Sequence, residues 1–282
     1  MSNDTTSTES LTEEISADEQ RSIVRERYSD IAADASSCCN ESEASSCCGE
    51  TDAPDEQTQQ LYSEEEISDV APGADLGLGC GNPTAIVSLA AGETVLDLGS
   101  GGGFDCFLAA QEVGAEGRVI GVDMTPEMIE KARKNVTKNE ATNVEFRLGE
   151  IEHLPVADGS VDVIISNCVV NLSPDKPQVF SDAYRVLRPG GRLAISDVVL
   201  TAELPADVRR DPESLSACVA GASRISELES MLRNAGFVEI SITPKEESES
   251  FIREWDDERD LSEYLVSASI EAQKPEQRVP RE

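Results

Sequence analysis

From about Glu93 onward, segments with the hydrophobic pattern of a β-strand alternate with segments with the hydrophobic pattern of an α-helix. Short β-branched runs predict strands, and longer amphipathic runs between them predict helices. The predicted strands are TVLDLG, RVIGVD, VEFRLG, VDVIIS and RLAISDVV. The predicted helices between them are Phe104–Val113, Pro126–Asn139 and Lys176–Leu187. This regular alternation indicates an α/β fold with a doubly wound, mostly parallel sheet.

The chain divides into four parts by pattern and composition. Residues 1–19 are rich in Ser, Thr and Glu and poor in apolar residues, which predicts a disordered acidic tail. Residues 20–92 contain a predicted short helix over 20–32 and a cysteine-rich segment in which ASSCC occurs twice. The sheet pattern occupies residues 93–200, and residues 201–282 predict a smaller C-terminal cap with the closing elements of the sheet. The elements predicted in this last part are a helix over Arg224–Ala235, a strand over FVEISIT and a late helix over Leu261–Ala272.

The net charge of the chain narrows the choice of partners. Its 282 residues include 56 acidic and 23 basic ones, which gives a formal net charge of −33. Nucleic acids and anionic membranes need a basic footprint, so we expect neither as a partner. The acidic runs EEEISD, ESES and REWDDERD spread the excess through the chain, which favours a surface hydrated in a salt-rich cytoplasm. No apolar stretch approaches the roughly 18 residues of a membrane span, and MSNDTTSTES lacks the features of a signal peptide. We therefore expect a cytoplasmic protein.

A glycine-rich loop, LDLGSGGGFDC, follows the first strand of the pattern and opens its first helix. Glycine lets a backbone turn tightly and approach a ligand closely. Asp97 ends that strand, where a carboxylate would meet a cationic amino group, and Asp123 ends the next strand, where a carboxylate accepts hydrogen bonds from ribose hydroxyls. Glu150 and Ile151 follow the third strand and suit an adenine edge and face. The predicted nucleoside site comprises Asp97, Gly99, Gly101, Gly103, Asp123, Met124, Glu150 and Ile151.

The segment from about Glu93 to Val199 resembles the class I S-adenosylmethionine-dependent methyltransferases. A glycine-rich turn by itself would also fit a dinucleotide-binding Rossmann unit. The segment LRPGGRLAISD resembles the turn that leads into the fifth strand of the methyltransferases, and it favours them. The resemblance implies S-adenosylmethionine as the cofactor.

The flanking segments resemble one branch of that family, the arsenite methyltransferases. This resemblance spans about Val24 to Pro275 and rests on GLGCGNPTAIVSLAAGETVLDLGSGGGFDCFLAA, SNCVVNLSPDKPQVFSDAYRVLRPGGRLAISDVV, ACVAGA and SEYLVSASIEAQKP. It implies that Cys80, Cys168 and Cys218 bind trivalent arsenic. It also implies a further catalytic cysteine soon after the first helix, for which Cys39 is our candidate. Which cysteine corresponds stays open, because four crowd that region: Cys38, Cys39, Cys47 and Cys48.

The cysteines point to the same chemistry on physical grounds. Thiolates are soft ligands, and trivalent arsenic is a soft, thiol-bound methyl acceptor. Cys168 lies past the carboxyl end of a predicted strand, where open α/β sheets bind their ligands, whereas Cys106 is predicted to be a buried apolar residue. The single histidine, His153, is predicted to pack or to border adenine. A base is not required, since the arsenic lone pair has no proton to lose.

The predicted reaction is methyl transfer from S-adenosylmethionine to thiolate-bound arsenic, with arsenite and methylated arsenicals as substrates. Methylation oxidises arsenic, so a thiol pair must return two electrons. We expect Cys80 and one N-terminal cysteine to form that disulfide, and a thioredoxin-like or small thiol reductant to reopen it. Two alternatives stay open: a quinone or other small-molecule carbon/oxygen methyltransferase on the same fold, and a non-catalytic metalloid-sequestering protein.

Overall fold

The computed structural model of the protein describes residues 15–34, 56–256 and 259–276. Most of the expected acidic tail and both ASSCC repeats, with Cys38, Cys39, Cys47 and Cys48, lie outside the described residues. The α-helices are α1 (Ala17–Asp34), α2 (Glu56–Leu61), α3 (Glu64–Ser68), α4 (Pro83–Ile86), α5 (Phe104–Val113), α6 (Pro126–Lys138), α7 (Lys176–Val186), α8 (Ala206–Arg209), α9 (Pro212–Ser216), α10 (Ile225–Ala235) and α11 (Glu249–Ile252). The strands are β1 (Thr94–Leu98), β2 (Arg118–Asp123), β3 (Val144–Leu148), β4 (Val161–Asn167), β5 (Leu187–Leu200), β6 (Ser223–Arg224), β7 (Val238–Lys245) and β8 (Leu265–Gln273). Short 3-10 turns occupy Val170–Leu172, Glu246–Ser248, Arg253–Trp255 and Leu261–Glu263.

The strands form one mostly parallel sheet in the order β3-β2-β1-β4-β5-β8-β7, and β6 pairs with the end of β5. The pairs from β3 to β5 are parallel, whereas β8 runs antiparallel to both β5 and β7. The chain order reverses between β1 and β4, since the first three strands extend one way and the later strands the other. Open α/β sheets bind ligands at such a point, beyond the carboxyl ends of the strands.

Apolar side chains of successive strand residues enter two cores on opposite faces of the sheet. Leu96 and Leu98 pack with α7 and α10 in one core, and Val95 packs with α5 and α6 in the other. Because strand side chains alternate between faces, continuous apolar runs predict strands that are buried on both sides. The doubly wound sheet expected from the sequence is confirmed.

The late helix expected over Leu261–Ala272 is wrong, because this segment forms a 3-10 turn followed by β8. Its nine-residue strand pairs with β5 from Leu265 to Gln273. Ala268, Ile270 and Ala272 enter the core at a period of two. Alanine, serine and glutamate have no strong strand preference, so pairing with two neighbours decides the structure here.

A third apolar cluster lies over the carboxyl end of the sheet. It brings Cys80, Cys168 and Cys218 together with Val24 of α1 and with apolar residues of the segments around α8, α9 and α11. The first helix, expected over 20–32, extends over Ala17–Asp34 and reaches this cluster. The three cysteines thus lie in a buried region between α1, the sheet and the C-terminal cap.

Candidate functional site

A deep cleft lies beyond the carboxyl ends of β1, β2 and β4, beneath α1. It encloses about 1100 Å³ of empty space, part of it open to solvent. Open α/β sheets bind their ligands in clefts at this position, beyond the carboxyl ends of the strands. Six of the eight predicted nucleoside-site residues line it, namely Asp97, Gly99, Gly101, Asp123, Met124 and Ile151.

The glycine-rich loop leaves space that side chains would fill. Gly99 has φ +70°, and a Cβ there would lie 2.2 Å from Val169 Cγ2. Gly101 has φ +48°, and a Cβ there would meet nothing within 4 Å, so the missing side chain leaves this part of the cleft open. The Gly101 N–H donates to Asp123 Oδ2 over 3.0 Å, which fixes the loop to the end of β2. Gly103 instead packs against Phe146 and Phe107 at the start of α5.

Four carboxyl groups that form no salt bridge within the described part of the chain line the cleft: Asp75, Asp97, Asp105 and Asp123. Burial raises the pKa of Asp97, and the neighbouring Asp105 carboxylate raises it further. Burial also raises the pKa of Asp123 and brings that of Asp105 to about 6. A cationic ligand would offset this repulsion, which fits the amino and sulfonium groups of S-adenosylmethionine.

The hydrogen-bonding groups of the cleft also fit that cofactor. The Ser100 Oγ is buried and has no hydrogen-bond partner among the described residues, so a polar ligand group would satisfy it. Met124 and Ile151 provide apolar surface for a flat ring. Glu150, expected at the adenine edge, instead faces Arg21 and Arg25, each at 3.6 Å, and Glu152 lines the cleft in its place.

Helix α1 covers the cleft and is anchored by polar contacts. Arg21 lies 3.4 Å from the buried carboxylate of Glu152, and Glu152 also accepts a hydrogen bond from Ser173 Oγ over 2.7 Å. Arg21, Val24 and Tyr28 of α1 all line the cleft. The helix therefore forms a wall of the site, although nothing in its local sequence marks it as such.

The sulfurs of Cys80 and Cys168 are joined by a disulfide whose Cα atoms are 5.8 Å apart. The sequence predicts a pair between Cys80 and an N-terminal cysteine, so the observed partner, Cys168, differs. The Asn167 side chain explains it, because it holds the Cys80 loop beside Cys168: its Oδ1 accepts from Cys80 N (3.0 Å) and its Nδ2 donates to Gly81 O (2.7 Å). The sequence separation of 88 residues gives no local signal for this pairing.

Cys218 completes the cluster as a free thiol. Its Sγ donates to Cys168 O over 2.7 Å. Burial raises the pKa of Cys218 well above its ordinary value, and the Asp197 carboxylate raises it further; Arg27, Lys176 and a hydrogen bond from Tyr28 oppose this. The thiol is therefore protonated near neutral pH.

Asp197 lies against the disulfide. One of its carboxylate oxygens and the sulfurs of Cys80 and Cys168 all lie within 4.8 Å of one another. Burial raises the pKa of Asp197 to about 6, although backbone N–H groups of Val198 and Asn171 and the charge of Lys176 stabilise the carboxylate. The group is held in place by Asn171, whose Nδ2 donates to Asp197 Oδ1 over 2.9 Å.

Sequence reasoning missed several residues of this site, above all Asn167, Asp105, Tyr28 and Tyr62. Asn167 and Asp105 adjoin Cys168 and Cys106 in the sequence, so a search of the cysteines' neighbours would have found them. Cys106 is fully buried as expected, with its Sγ 3.2 Å from Asp97 Oδ2. His153 is exposed, so it does not pack into the core.

Comparisons with known proteins find methyltransferases, several of which are arsenite methyltransferases. A methyltransferase domain family matches residues 89–236. The arsenite methyltransferase of Halobacterium salinarum is 60% identical over 98% of this chain and 71% of its own length. That of Aquipseudomonas alcaligenes is 45% identical over 57% of this chain and 48% of its own length. The crystal structure of an arsenic (III) S-adenosylmethionine methyltransferase from Chlamydomonas reinhardtii matches with a TM-score of 0.57 and 36% identity, covering 81% of this chain and 75% of that one.

Among the described helices, none is long and apolar enough to cross a membrane.

Proposed function

The chain belongs to the arsenite methyltransferase family of S-adenosylmethionine-dependent enzymes, and from this premise we propose that it methylates trivalent arsenic bound to its own cysteines. The observation that carries the proposal is the meeting of three cysteines at one end of the cofactor cleft. Cys168 lines that cleft, Cys80 is bonded to it, and Cys218 contacts its backbone. A quinone methyltransferase would have no use for such a cluster.

Different residues of the cleft would contact different groups of the cofactor. S-adenosylmethionine supplies an electrophilic methyl group on a sulfonium sulfur. Asp97 and Asp105 would offset the positive charges of its amino acid end, and Asp123 would accept hydrogen bonds from the ribose. Ser100 Oγ and the open backbone at Gly101 would contact the polar groups that remain, while Ile151 and Met124 would pack on the adenine.

The cysteines act as the arsenic ligands once they are reduced. Each thiol replaces one hydroxyl of arsenite, and its proton leaves with that hydroxyl as water. A protonated Cys218 is therefore a competent ligand precursor. Three sulfur ligands leave arsenic as a trigonal pyramid with one lone pair, and the cysteines aim this lone pair into the cofactor cleft.

The surroundings of the cysteines favour the transfer by position and by exclusion of water. Val24, Leu172 and Val198 belong to the apolar cluster that contains the three sulfurs. Such a dry site strengthens the electrostatic interactions within it and removes competing nucleophiles. A general base adds nothing, because the attacking lone pair carries no proton.

The disulfide explains the source of the two electrons that return arsenic to the trivalent state. Methylation leaves arsenic pentavalent, and its return to the trivalent state requires two electrons. Two thiolates that close to a disulfide release two electrons, and the Cys80–Cys168 bond is that product. A thiol reductant must then reopen the bond. The N-terminal cysteines remain candidates for further exchange steps, with Cys39 our first choice.

The proposed setting is a cytoplasm rich in salt and thiols, without nucleic acid or membrane as a partner. The net charge of −33 supports this, since it disfavours polyanions and lipid headgroups of the same sign.

One assay tests the proposal directly. Purified protein is incubated with arsenite, S-adenosylmethionine and dithiothreitol in molar salt, and the arsenic species are separated and quantified. We expect methylated arsenic to appear with an equivalent amount of S-adenosylhomocysteine. Arsenic that binds without being methylated would instead support the sequestering alternative, and methylation of a quinone alone would support the carbon/oxygen alternative.

A further inference from the structure

Asp197 is a buried carboxylate beside the sulfurs, and the steps derived above do not use it. One of its oxygens lies within 4.8 Å of the sulfurs of both Cys80 and Cys168. The residue is only 2% exposed, and it does not line the cofactor cleft. An arsenic atom bonded to both sulfurs would therefore lie close to this carboxylate, on the side away from solvent.

The hydrogen bonds of Asp197 hold it as an anion in one orientation. Its Oδ1 accepts from Val198 N over 2.8 Å and from Asn171 Nδ2 over 2.9 Å, and its Oδ2 accepts from Asn171 N over 3.2 Å. Such N–H donors favour the ionised form of a carboxyl group. Within the described residues Asp197 forms no salt bridge, and the nearby Lys176 instead donates from its Nζ to Gly221 O over 2.7 Å.

The proposed reaction moves a positive charge toward this carboxylate. The arsenic lone pair forms a bond to the methyl carbon while the bond from that carbon to the sulfonium sulfur breaks, and its electron pair stays on the sulfur. S-adenosylmethionine thereby loses its sulfonium charge and becomes a neutral thioether. Arsenic bonded to three thiolates is neutral before the transfer. It carries one positive charge, as an arsonium, once the methyl group is attached.

A cation that forms in an apolar pocket is costly unless a counter-ion is already in place. The three cysteines share their cluster with apolar side chains such as Leu172 and Val198, where charges interact more strongly than in water. Asp97 and Asp105 line the cofactor cleft, where the positive charge lies before the transfer. Asp197 lies beside the sulfurs, where the charge lies afterwards.

We propose that Asp197 is the counter-ion of the arsonium that forms during methyl transfer, and that it accelerates this step without ligating arsenic. The proposal rests on the proposed function, because it concerns a step of the same reaction. A carboxylate is a hard ligand, and the three positions of trivalent arsenic are taken by softer thiolates. Loss of the Asp197 charge should therefore slow methyl transfer and leave arsenic binding intact.

The test separates arsenic binding from methyl transfer in Asp197→Asn, which removes the charge with little change in size. Protein is reduced with a phosphine, freed of it without oxygen and titrated with arsenite, and the ultraviolet absorbance of the arsenic–sulfur bonds gives the affinity. Protein loaded with one equivalent of arsenite is then mixed with saturating S-adenosylmethionine, and S-adenosylhomocysteine is quantified over time. We expect an arsenite affinity equal to that of the wild type and a transfer rate lowered about 100-fold, as when one group oriented toward transition-state charge is lost.

The control is Asp182→Asn on α7. Asp182 is also buried and accepts a hydrogen bond from a backbone N–H, that of Leu154, over 2.6 Å, but it lies outside the three-cysteine cluster. This variant should transfer methyl groups at the wild-type rate. A wild-type transfer rate in Asp197→Asn, or a slower rate that a weaker arsenite affinity explains, would overturn the proposal.

A second variant serves if Asp197→Asn does not fold, as a missing melting transition would show. Asn171→Ala keeps the carboxylate and removes the side-chain donor that orients it, so the transfer rate should fall by less while arsenite affinity persists. A transfer rate equal to that of the wild type in Asn171→Ala would then overturn the proposal. The proposed function fails separately, if the wild-type protein itself yields no methylated arsenic.

Discussion

At the residue scale, Cys168 and Cys218 share a backbone conformation that most side chains avoid. Their φ angles are +53° and +65°. Such left-handed residues other than glycine cost about 1–3 kcal/mol each and gather at functional sites. Both side chains belong to the same apolar cluster, which suits the proposed binding of one arsenic atom by both sulfurs.

The three thiols should differ in the substrates that depend on them. Arsenite has three exchangeable positions, whereas methylarsonous acid has two. If Cys168 and Cys218 form the central pair, Cys168→Ser or Cys218→Ser abolishes methylation of both substrates, because a hard hydroxyl binds trivalent arsenic poorly. Cys80→Ser should lose arsenite methylation but retain much of the activity on methylarsonous acid. Initial rates with each arsenical, measured with dithiothreitol present, check this.

The buried free thiol provides the control for these variants. Cys106→Ser should retain methylation of both arsenicals, because Cys106 lies outside the three-cysteine cluster and a serine hydroxyl can still donate to Asp97 as the thiol does. Misplacement of the reacting atoms costs ~100-fold in rate, so a true ligand and a bystander are easily separated. Wild-type methylation of methylarsonous acid by Cys168→Ser would refute the site.

The carboxylate of Asp123 should determine cofactor affinity. It accepts hydrogen bonds from the N–H groups of Gly101 and Thr125, which orient it at the end of β2. Asp123→Ala should weaken S-adenosylmethionine binding by about 1.5–3 kcal/mol, the range for a hydrogen bond to a charged group. Titration calorimetry measures this, with Asp158→Ala, which removes an exposed carboxylate, as the control. An affinity equal to that of the wild type would exclude the ribose contact.

The buried Asp105 should make stability depend on pH. Burial raises its pKa from 3.8 to about 6, although hydrogen bonds from Tyr62 and Asn167 oppose this. A carboxyl whose pKa is raised by folding stabilises the fold while it is protonated, and this contribution is lost as the pH rises through about 6. Asparagine cannot ionise, so the free energy of unfolding of Asp105→Asn, relative to wild type, should increase between pH 4 and pH 7.

Denaturant titrations without S-adenosylmethionine at several pH values check this difference. Titrating groups that do not interact with Asp105 cancel when the variant is compared with the wild type at each pH. Asp97 does not cancel, because its pKa is raised by burial and, further, by the Asp105 carboxylate, but the loss of that repulsion in the variant changes the difference in the same direction. A difference that stays constant with pH would show that Asp105 keeps its ordinary pKa in the folded protein.

At the scale of elements, helix α1 forms one wall of the cleft, and the ends of the sheet strands form another. Arg21 contacts both Glu150 and the buried Glu152, whereas Arg25 contacts only the more exposed Glu150. Loss of Arg21 leaves Glu152 without its cation, which loosens the helix over the cofactor. We expect Arg21→Gln to weaken S-adenosylmethionine binding several-fold, about 1 kcal/mol, and Arg25→Gln to change it little.

Hydrogen exchange separates this effect from general destabilisation. In the wild type, bound S-adenosylmethionine should slow amide exchange in Ala17–Asp34, because the helix closes over the ligand. In Arg21→Gln the protection of this helix should shrink while that of the β1 and β4 amides persists. If S-adenosylmethionine did not change the amide exchange rates of α1, the helix would not be part of the cofactor site.

At the scale of the whole molecule, the net charge of −33 should make the fold depend on salt. Screening suppresses repulsion between like charges, and the Debye length exceeds roughly 4 Å below about 0.5 M salt. We expect the melting temperature and the activity to fall below that concentration. Circular dichroism melts in potassium chloride measure this, and sucrose at equal osmolarity, which does not screen charge, is the control. A melting temperature independent of salt would defeat the prediction.

The sequence by itself determined the central sheet and where its ligand-binding edge lies. Strands β1, β2 and β4 are mostly apolar and β-branched, and α5 begins directly after the glycine-rich loop, so local pattern specifies each of them. Asp97 near the end of β1 and Asp123 at the end of β2 follow from the same pattern, because open α/β sheets bind their ligands beyond the carboxyl ends of the strands.

Only the tertiary structure decided what covers that edge and which sulfurs meet. The position of α1 over the cleft depends on partners about 130 residues away, such as Glu152. The strand β8 depends on β5 and β7, which override the weak local preference of its small residues. The partner of Cys80 depends on Asn167, which holds two loops that are 87 residues apart. Periodicity records the local preferences of a chain, whereas contacts between distant segments arise only when the folded sheet brings them together.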